Sequence, residues 1–322
     1  MRVLVVGGTG LLGHHVVTEL AAGGHRVTVL ARSVRSVPPG VTLVTGDTLL
    51  LDEADWYGLL TGQDGVVFAA GEDDRVAPPR PALPHFRAAN VTPVRRMLAA
   101  AGRAGCRAAV VHGSYFTAIA RDRPQLELER RHPYVRSRVE QAALGPAMAG
   151  ELAVAVLEIP FVFGSAPGRL PLWAPVVPWL RSGAPLLAPP GGTAVVTAAN
   201  VARATVNALV SQASGSFPVA EENLTWTQLL TRFAVAAGRR GPVRVRRLPP
   251  VVLGLVLRAF GRWHRLHGRE GGLDSRWLSQ LLTARLYLDT GDVRATLGVV
   301  AGGLDAALRE TVTASVGAGA DP

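Results

Sequence analysis

The chain has 322 residues, 48% of them hydrophobic and 18% charged, which excludes a disordered or fibrous protein and allows one large core or a core with a smaller lobe. A formal net charge of +10 would suit nucleic acid, but the arginines are scattered through helices and loops without interleaved stacking aromatics, so no nucleic-acid partner is expected. The single cysteine, Cys106, excludes an internal disulfide, no ligand spacing marks a metal site, and a cytoplasmic protein without signal peptide or integral membrane segment is expected.

In chain order, residues 3–6 form an aliphatic strand that breaks into Gly7, Gly10 and Gly13 and continues as a helix. Each glycine has a task. Gly7 permits a tight turn, Gly10 lets the backbone approach a pyrophosphate, and Gly13 lets the helix pack close to the strand. With Thr9, Leu11 and Leu12 they place phosphates on the helix N-terminus, where unpaired N–H groups and the helix dipole favour an anion. A second strand is expected at 27–31. At its end, where NAD binders carry an acid for the ribose 2′-hydroxyl, stand Arg32, Ser33 and Arg35. A guanidinium pairs with a 2′-phosphate, so NADP(H) is expected over NAD(H); the other reading is of solvated loop charges.

Further strands are expected at 41–47, 65–71, 108–114 and 152–160, with helices at 90–104 and 134–149 between them. This alternation predicts an α/β fold: a Rossmann-type doubly wound parallel sheet with helices on both faces. Residues 161–190, rich in Pro, Trp and Leu, interrupt it; strands at 193–198 and 216–220 around a helix from Asn200 resume it, and 222–288 read as helices. The expected division is a nucleotide-binding domain at 1–160, with 193–220 returning to it. A smaller, mostly helical substrate lobe takes 161–192 and 221–313, and 314–322 form a flexible tail. Basic clusters occur at 239–247 and 258–269. The apolar run 251–260 is too short to span a bilayer; it is a packed helix or, with Trp263, His264 and the nearby arginines, one that lies on a membrane surface or a partner subunit.

Several segments in order carry a resemblance: GGTGLLG at 7–13, TGD ending at Asp47, FAAG at 68–71, Asn90 and Val91 opening a helix, HGS ending at Ser114, HPYVRSRVEQAA from 132, and IPFVFG at 159–164. Together they resemble the extended short-chain dehydrogenases/reductases, the NAD-dependent epimerase/dehydratase family. The resemblance implies Tyr134 as general acid/base with a lowered pKa, Arg138 as its stabilising cation and Ser114 as the hydroxyl that orients the substrate oxygen, with Thr117 in reserve. It implies cofactor contacts from Asp47, Thr48, Ala69, Ala70, Gly71, Asn90, His112, Arg138, Pro160, Phe161 and Val162. Tyr115, Phe116 and Thr117, next to Ser114, are expected to touch the substrate, as are Phe163 and Trp173 of the apolar, aromatic segment that follows the strand at 152–160, and the resemblance implies a homodimer.

Two departures qualify what is carried over. The family has lysine where this chain has Arg138, and the chain contains no lysine at all. A planar fork keeps the charge but not the compact ammonium. Nucleotide-sugar members have an arginine and an aspartate where Thr193 and Asn200 stand, so a diphosphate clamp is missing and the aromatic segment 161–179 favours a small hydrophobic or aromatic carbonyl or alcohol, such as a secondary metabolite. Arg169 and Arg181 remain for one acidic group. The expected activity is an NADP(H)-dependent oxidoreductase; the alternatives are non-redox chemistry (cyclase, dehydratase, isomerase or epimerase) and a non-catalytic NADP(H)-binding regulator.

Overall fold

Valine-rich runs without polar alternation form strands buried on both faces, as a parallel sheet covered by helices requires. The computed structural model describes residues 1–33, 37–148 and 151–317, so Arg35 of the expected cofactor set lies outside the described residues. The first half is built largely of strands alternating with helices, with β3 following β2 directly: β1 (Arg2–Val6), α1 (Leu11–Ala22), β2 (Arg26–Ala31), β3 (Thr42–Thr45), α2 (Glu53–Leu60) and β4 (Gly65–Phe68). Next come α3 (Ala82–Asn90), α4 (Thr92–Arg103), β5 (Ala108–His112), α5 (Phe116–Asp122), α6 (Leu128–Arg131), α7 (Pro133–Ala147) and β6 (Ala153–Glu158).

The second half is more irregular. It runs β7 (Phe161–Phe163), α8 (Val177–Arg181), β8 (Leu186–Ala188), β9 (Gly192–Thr197), α9 (Ala198–Val210), β10 (Gly215–Pro218) and β11 (Glu222–Thr225). It ends with α10 (Trp226–Ala236), β12 (Val245–Arg247), α11 (Pro250–Leu266), α12 (Ser275–Thr283), β13 (Arg285–Leu286), α13 (Gly291–Leu297) and α14 (Leu304–Gly317).

The central sheet has seven strands in the order β10-β6-β5-β4-β1-β2-β3, each pair parallel. Val5 faces Val29 on one side and Val67 on the other. Successive residues of β1 feed opposite layers. Val3 and Val5 pack with Val16, Leu20 and Val201 from α1 and α9, while Leu4 and Val6 pack with Trp56, Val94 and Met97 from α2 and α4. Burying a side chain of this size contributes about 1.5–3 kcal/mol. The strand order reverses between β1 and β4, and a crevice at the carboxyl ends of strands at such a switch point is where ligands bind in this architecture.

The expectation that 193–220 rejoins the main sheet holds only for its later part. β9 is the middle of a second sheet, where it pairs with β7 and β13 in parallel and with β11 antiparallel; α9 and β10 alone return. Pro160, which lacks an N–H, separates β6 from β7 as the chain leaves the central sheet. Residues 222–288 also contain β11, β12 and β13, two to four residues each, too short to show a period. The expected tail is helical through Gly317, and 318–322 lie outside the described residues. α14 belongs to the core of this second unit, where Leu308 joins Phe163, Leu180 and Phe233. Its Thr311 Oγ1 accepts the Gly164 N–H at 3.0 Å and lies 3.2 Å from the Gly164 carbonyl.

Candidate active site

A crevice of about 570 Å³ opens at the switch point. Gly7 adopts φ +79°, and a Cβ there would sit 3.0 Å from the Ala69 carbonyl and the Ala70 nitrogen. At Gly13 a Cβ would lie 2.2 Å from the Gly7 carbonyl, so α1 can approach β1 this closely only with glycine at that place. Gly10 is the N-cap of α1 and offers no side chain to cap it, which leaves the first N–H groups of the helix for a ligand. This cradle fits a dinucleotide pyrophosphate.

From the glycine loop the crevice passes Arg32 and Ser33 at the end of β2, then Asp47 and Thr48 beyond β3. Arg32 is exposed there, and the Asp47 carboxylate accepts the Leu49 N–H at 3.0 Å, which folds its loop into a turn. Ala69, Ala70 and Gly71 line the opposite rim. Thus Gly7, Thr9, Gly10, Leu11, Arg32, Ser33, Asp47, Thr48, Ala69, Ala70 and Gly71 of the expected set converge on one crevice. Leu12 and Gly13 stand behind the loop as its support.

The remaining expected cofactor residues stand outside the crevice lining. Asn90 is fully buried and clamps the segment after β4: its Oδ1 accepts the Glu72 N–H at 2.9 Å and its Nδ2 donates to the Glu72 carbonyl at 3.1 Å. His112 faces Thr205, with Nε2 2.9 Å from the hydroxyl, and burial pushes its pKa down to about 3. Pro160 and Val162 are buried, and Phe161 stacks among aromatic rings. The far wall is supplied a few residues later, by Ser165, Ala166, Arg169, Leu170 and Leu172. Arg169 Nε donates to the Thr9 carbonyl at 3.0 Å, tying this wall to the glycine loop. Nothing in the local pattern of 165–172 distinguishes it from an ordinary loop.

Beside the crevice, α7 presents Tyr134 and Arg138 one turn apart on one face. Tyr134 is buried, its hydroxyl interacts with the Ser114 side chain and with Arg138, and the Arg138 Cζ lies 5.2 Å from its ring centre. These three expected catalytic residues therefore meet at the end of β5. The guanidinium is otherwise committed to the protein: Nη2 donates to the Glu72 carbonyl at 2.9 Å, and Nη1 to Gln141 Oε1 at 2.9 Å and the His112 carbonyl at 3.5 Å. The expected lowering of the Tyr134 pKa is not what the site produces. Burial pushes the phenol up, with Asp74 adding to the rise, and Arg138 and Ser114 oppose it only in part.

The expected substrate residues divide. Tyr115, Phe116 and Phe86 surround Tyr134 as an aromatic wall, with Phe86 at 5.7 Å and Phe116 at 6.3 Å between ring centres. Thr117 turns away: its hydroxyl lies 2.6 Å from the Ser114 carbonyl and 2.7 Å from Glu158 Oε1, a fully buried carboxylate also held by Arg121. Phe163, carried away from the central sheet by β7, is buried in the second core, and the partly buried Trp173 stacks on it with 5.2 Å between ring centres.

Sequence reasoning missed Asp74. This partly buried carboxyl follows β4, interacts with Tyr134, Tyr115 and Arg138, and is raised to about 6, first by burial and then by the neighbouring Asp73. It also lines a second cavity of about 420 Å³, with Arg75, Phe260, His264 and Arg265. One acid in a run of three, Glu72 to Asp74, offers no periodic signal. Among the described residues no group of three His, Cys, Asp or Glu side chains could hold a metal ion, and no helix is long and apolar enough to cross a membrane.

Residues 7–156 match the NAD(P)H-binding family model. Over 82 residues the chain is 38% identical to the isoflavone reductase homolog IRL of Zea mays, covering 22% of this chain and 26% of that relative. The chain's matches to its curated relatives span at most about a quarter of their length. Solved structures align over nearly the whole chain. gox2253 has a TM-score of 0.78 at 18% identity, covering 99% of this chain and 98% of that one. A nucleoside-diphosphate-sugar epimerase from Pseudomonas aeruginosa has a TM-score of 0.72 at 20% identity, with the same coverage. Glycine loop, strand order and these likenesses together give the chain an NAD(P)H-binding segment at 7–156 within a Rossmann-type fold that it shares over its whole length with these structures.

Proposed function

We propose that the protein is an NADP(H)-dependent oxidoreductase that acts on a small hydrophobic or aromatic carbonyl or alcohol. The observation that carries this reading is the meeting of Tyr134, Ser114 and Arg138 beside a dinucleotide crevice whose far end is edged by Arg32. The local likeness to a plant reductase homologue supports the reaction class, and the aromatic wall of Tyr115, Phe116 and Phe86 supports the substrate class.

The residues that would hold the nucleotide are the α1 N-terminus for the pyrophosphate, Arg32 and Ser33 for a 2′-phosphate, and Asp47 and Thr48 for the adenosine. When bound there, NADPH would supply the hydride that reduces a carbonyl carbon. Tyr134 then gives its hydroxyl proton to the carbonyl oxygen while Ser114 holds that oxygen by a hydrogen bond. The phenolate left behind forms in a dry site, where it is costly without a counter-charge; Arg138, fixed by the Glu72, His112 and Gln141 oxygens, supplies it without reorganisation. Because that guanidinium cannot deprotonate, it stabilises charge and relays no proton.

The test is a titration with NADPH and NADH of the wild type and of Arg32→Ala, followed by a carbonyl screen read by absorbance at about 340 nm. Tight NADPH binding that Arg32→Ala selectively weakens, with stoichiometric absorbance loss on turnover, supports the reading; failure to bind either nucleotide sinks it. Asp74 favours one second reading. A carboxyl at about 6 beside a phenol is an acid/base pair suited to isomerisation or dehydration, and turnover without net absorbance change would select it.

A further inference from the structure

The helix α11 is turned inside out. Its inner side carries Leu253, Gly254 and Gly261, which are buried. The two glycines, one heptad apart, allow α12 to come close: a Cβ at Gly261 would lie 1.6 Å from Ser275 Oγ, and one at Gly254 would lie 3.6 Å from Ser279 Oγ. This contact fixes which face points outward. The outward face is Val251, Val252, Leu255, Val256, Phe260, Trp263 and Leu266, between 46% and 75% exposed. Phe260 and Trp263 stack there with 6.2 Å between ring centres. Scattered exposed apolar residues need no explanation, but a continuous stripe along a helix of 17 residues does.

The charge around the stripe identifies what covers it. Between Glu222 and Glu270 the chain has ten arginines and no carboxylate. Arg246 and Arg247 on β12 and Arg258 and Arg262 on α11 are exposed, and among the described residues none of the four is in an ion pair. A second copy of this chain would bring the same cations face to face, which opposes self-association through this surface. An anionic bilayer answers both features: the acyl boundary takes the apolar stripe, the headgroups take the arginines, and tryptophan favours the interface between them. We propose that α11 and the basic segment before it are a docking surface for anionic lipid, with the helix lying in the plane of the membrane.

The full-length protein is sedimented with vesicles of phosphatidylcholine alone and with vesicles containing about 30% phosphatidylglycerol. Binding is expected to the anionic vesicles only and to weaken in about 0.5 M NaCl. Leu255→Glu with Trp263→Glu is expected to abolish it, and Arg258→Gln with Arg262→Gln to weaken it roughly fivefold for each charge removed. All four side chains face solvent or lie at the helix edge, so thermal melts and NADPH affinity should stay at wild-type values, which separates lost docking from lost folding. Equal pelleting with neutral and anionic vesicles, no pelleting, or pelleting unchanged in both variants overturns the proposal. So does a dimer in ultracentrifugation that Leu255→Glu with Trp263→Glu dissociates, which would make the stripe a protein interface.

Discussion

The two cavities on either side of the segment after β4 are made of different material. The nucleotide crevice is lined largely by backbone and small residues, Gly7, Gly10, Gly46, Ala69, Ala70 and Gly71, so its shape is set by where the chain can pass. The second cavity is walled by long charged side chains, Arg75, Arg80, Arg265, Arg269, Glu270 and Arg276, which can reorient. The first should therefore fail abruptly when a single atom is added. The second should respond by degrees, through charge.

The most severe test is Gly13→Val. With a Cβ at 2.2 Å from the Gly7 carbonyl, the strand and helix must separate, and we expect loss of nucleotide binding and destabilisation of about 3 kcal/mol, read by titration and thermal unfolding. A variant that still binds NADPH at wild-type affinity would show that the crevice is not set by backbone approach. Tyr134→Phe keeps the packing and removes one hydroxyl; turnover should fall by about 10²–10⁴ while NADPH affinity stays unchanged. Arg32→Ala should weaken NADPH by roughly 10–100-fold and leave NADH untouched, as measured by fluorescence titration.

Asp74→Asn probes the charged cavity, and its effect is graded by pH rather than abrupt. A carboxyl whose folded pKa is about 6, above its ordinary 3.8, is tolerated while protonated and costs stability once ionised. Its contribution is thus intact below about pH 4 and is lost as pH rises through about 6. The asparagine variant should match the wild type at about pH 4 and exceed it at about pH 7.5 by at most about 3 kcal/mol, visible as a higher melting temperature. Equal melting at both pH values would mean that this cavity holds the ionised carboxylate without penalty.

The same contrast governs how much was legible in the sequence. The glycine loop and the strands of the central sheet follow from local rules, periodicity and a turn's need for glycine, and one turn of helix puts Tyr134 and Arg138 on one face, whereas Ser114 came only with the family resemblance. What escaped depends on tertiary choice. Phe163 and Trp173 read as pocket residues because their composition suits a pocket; β7 pairing with β9 sends Phe163 into a core, and Trp173 stacks on it. Thr117 read as a spare hydroxyl, but the buried Glu158 at the end of the neighbouring strand β6 accepts its hydrogen bond. The sign of the Tyr134 shift escaped for a like reason, since sequence shows the neighbouring cation but not the depth of burial that outweighs it.

The hydrogen bonds between Gly164 and Thr311 tie the two halves of the crevice together. The glycine loop is complete by residue 13, but the opposing wall, which begins at Ser165, hangs from a glycine whose N–H and carbonyl both meet the last helix. Half of the crevice is thus written at one end of the chain and held in place from the other. The wall that faces the glycine loop is therefore anchored by tertiary structure, through a residue separated from Gly164 by 147 positions, rather than by its neighbours in sequence.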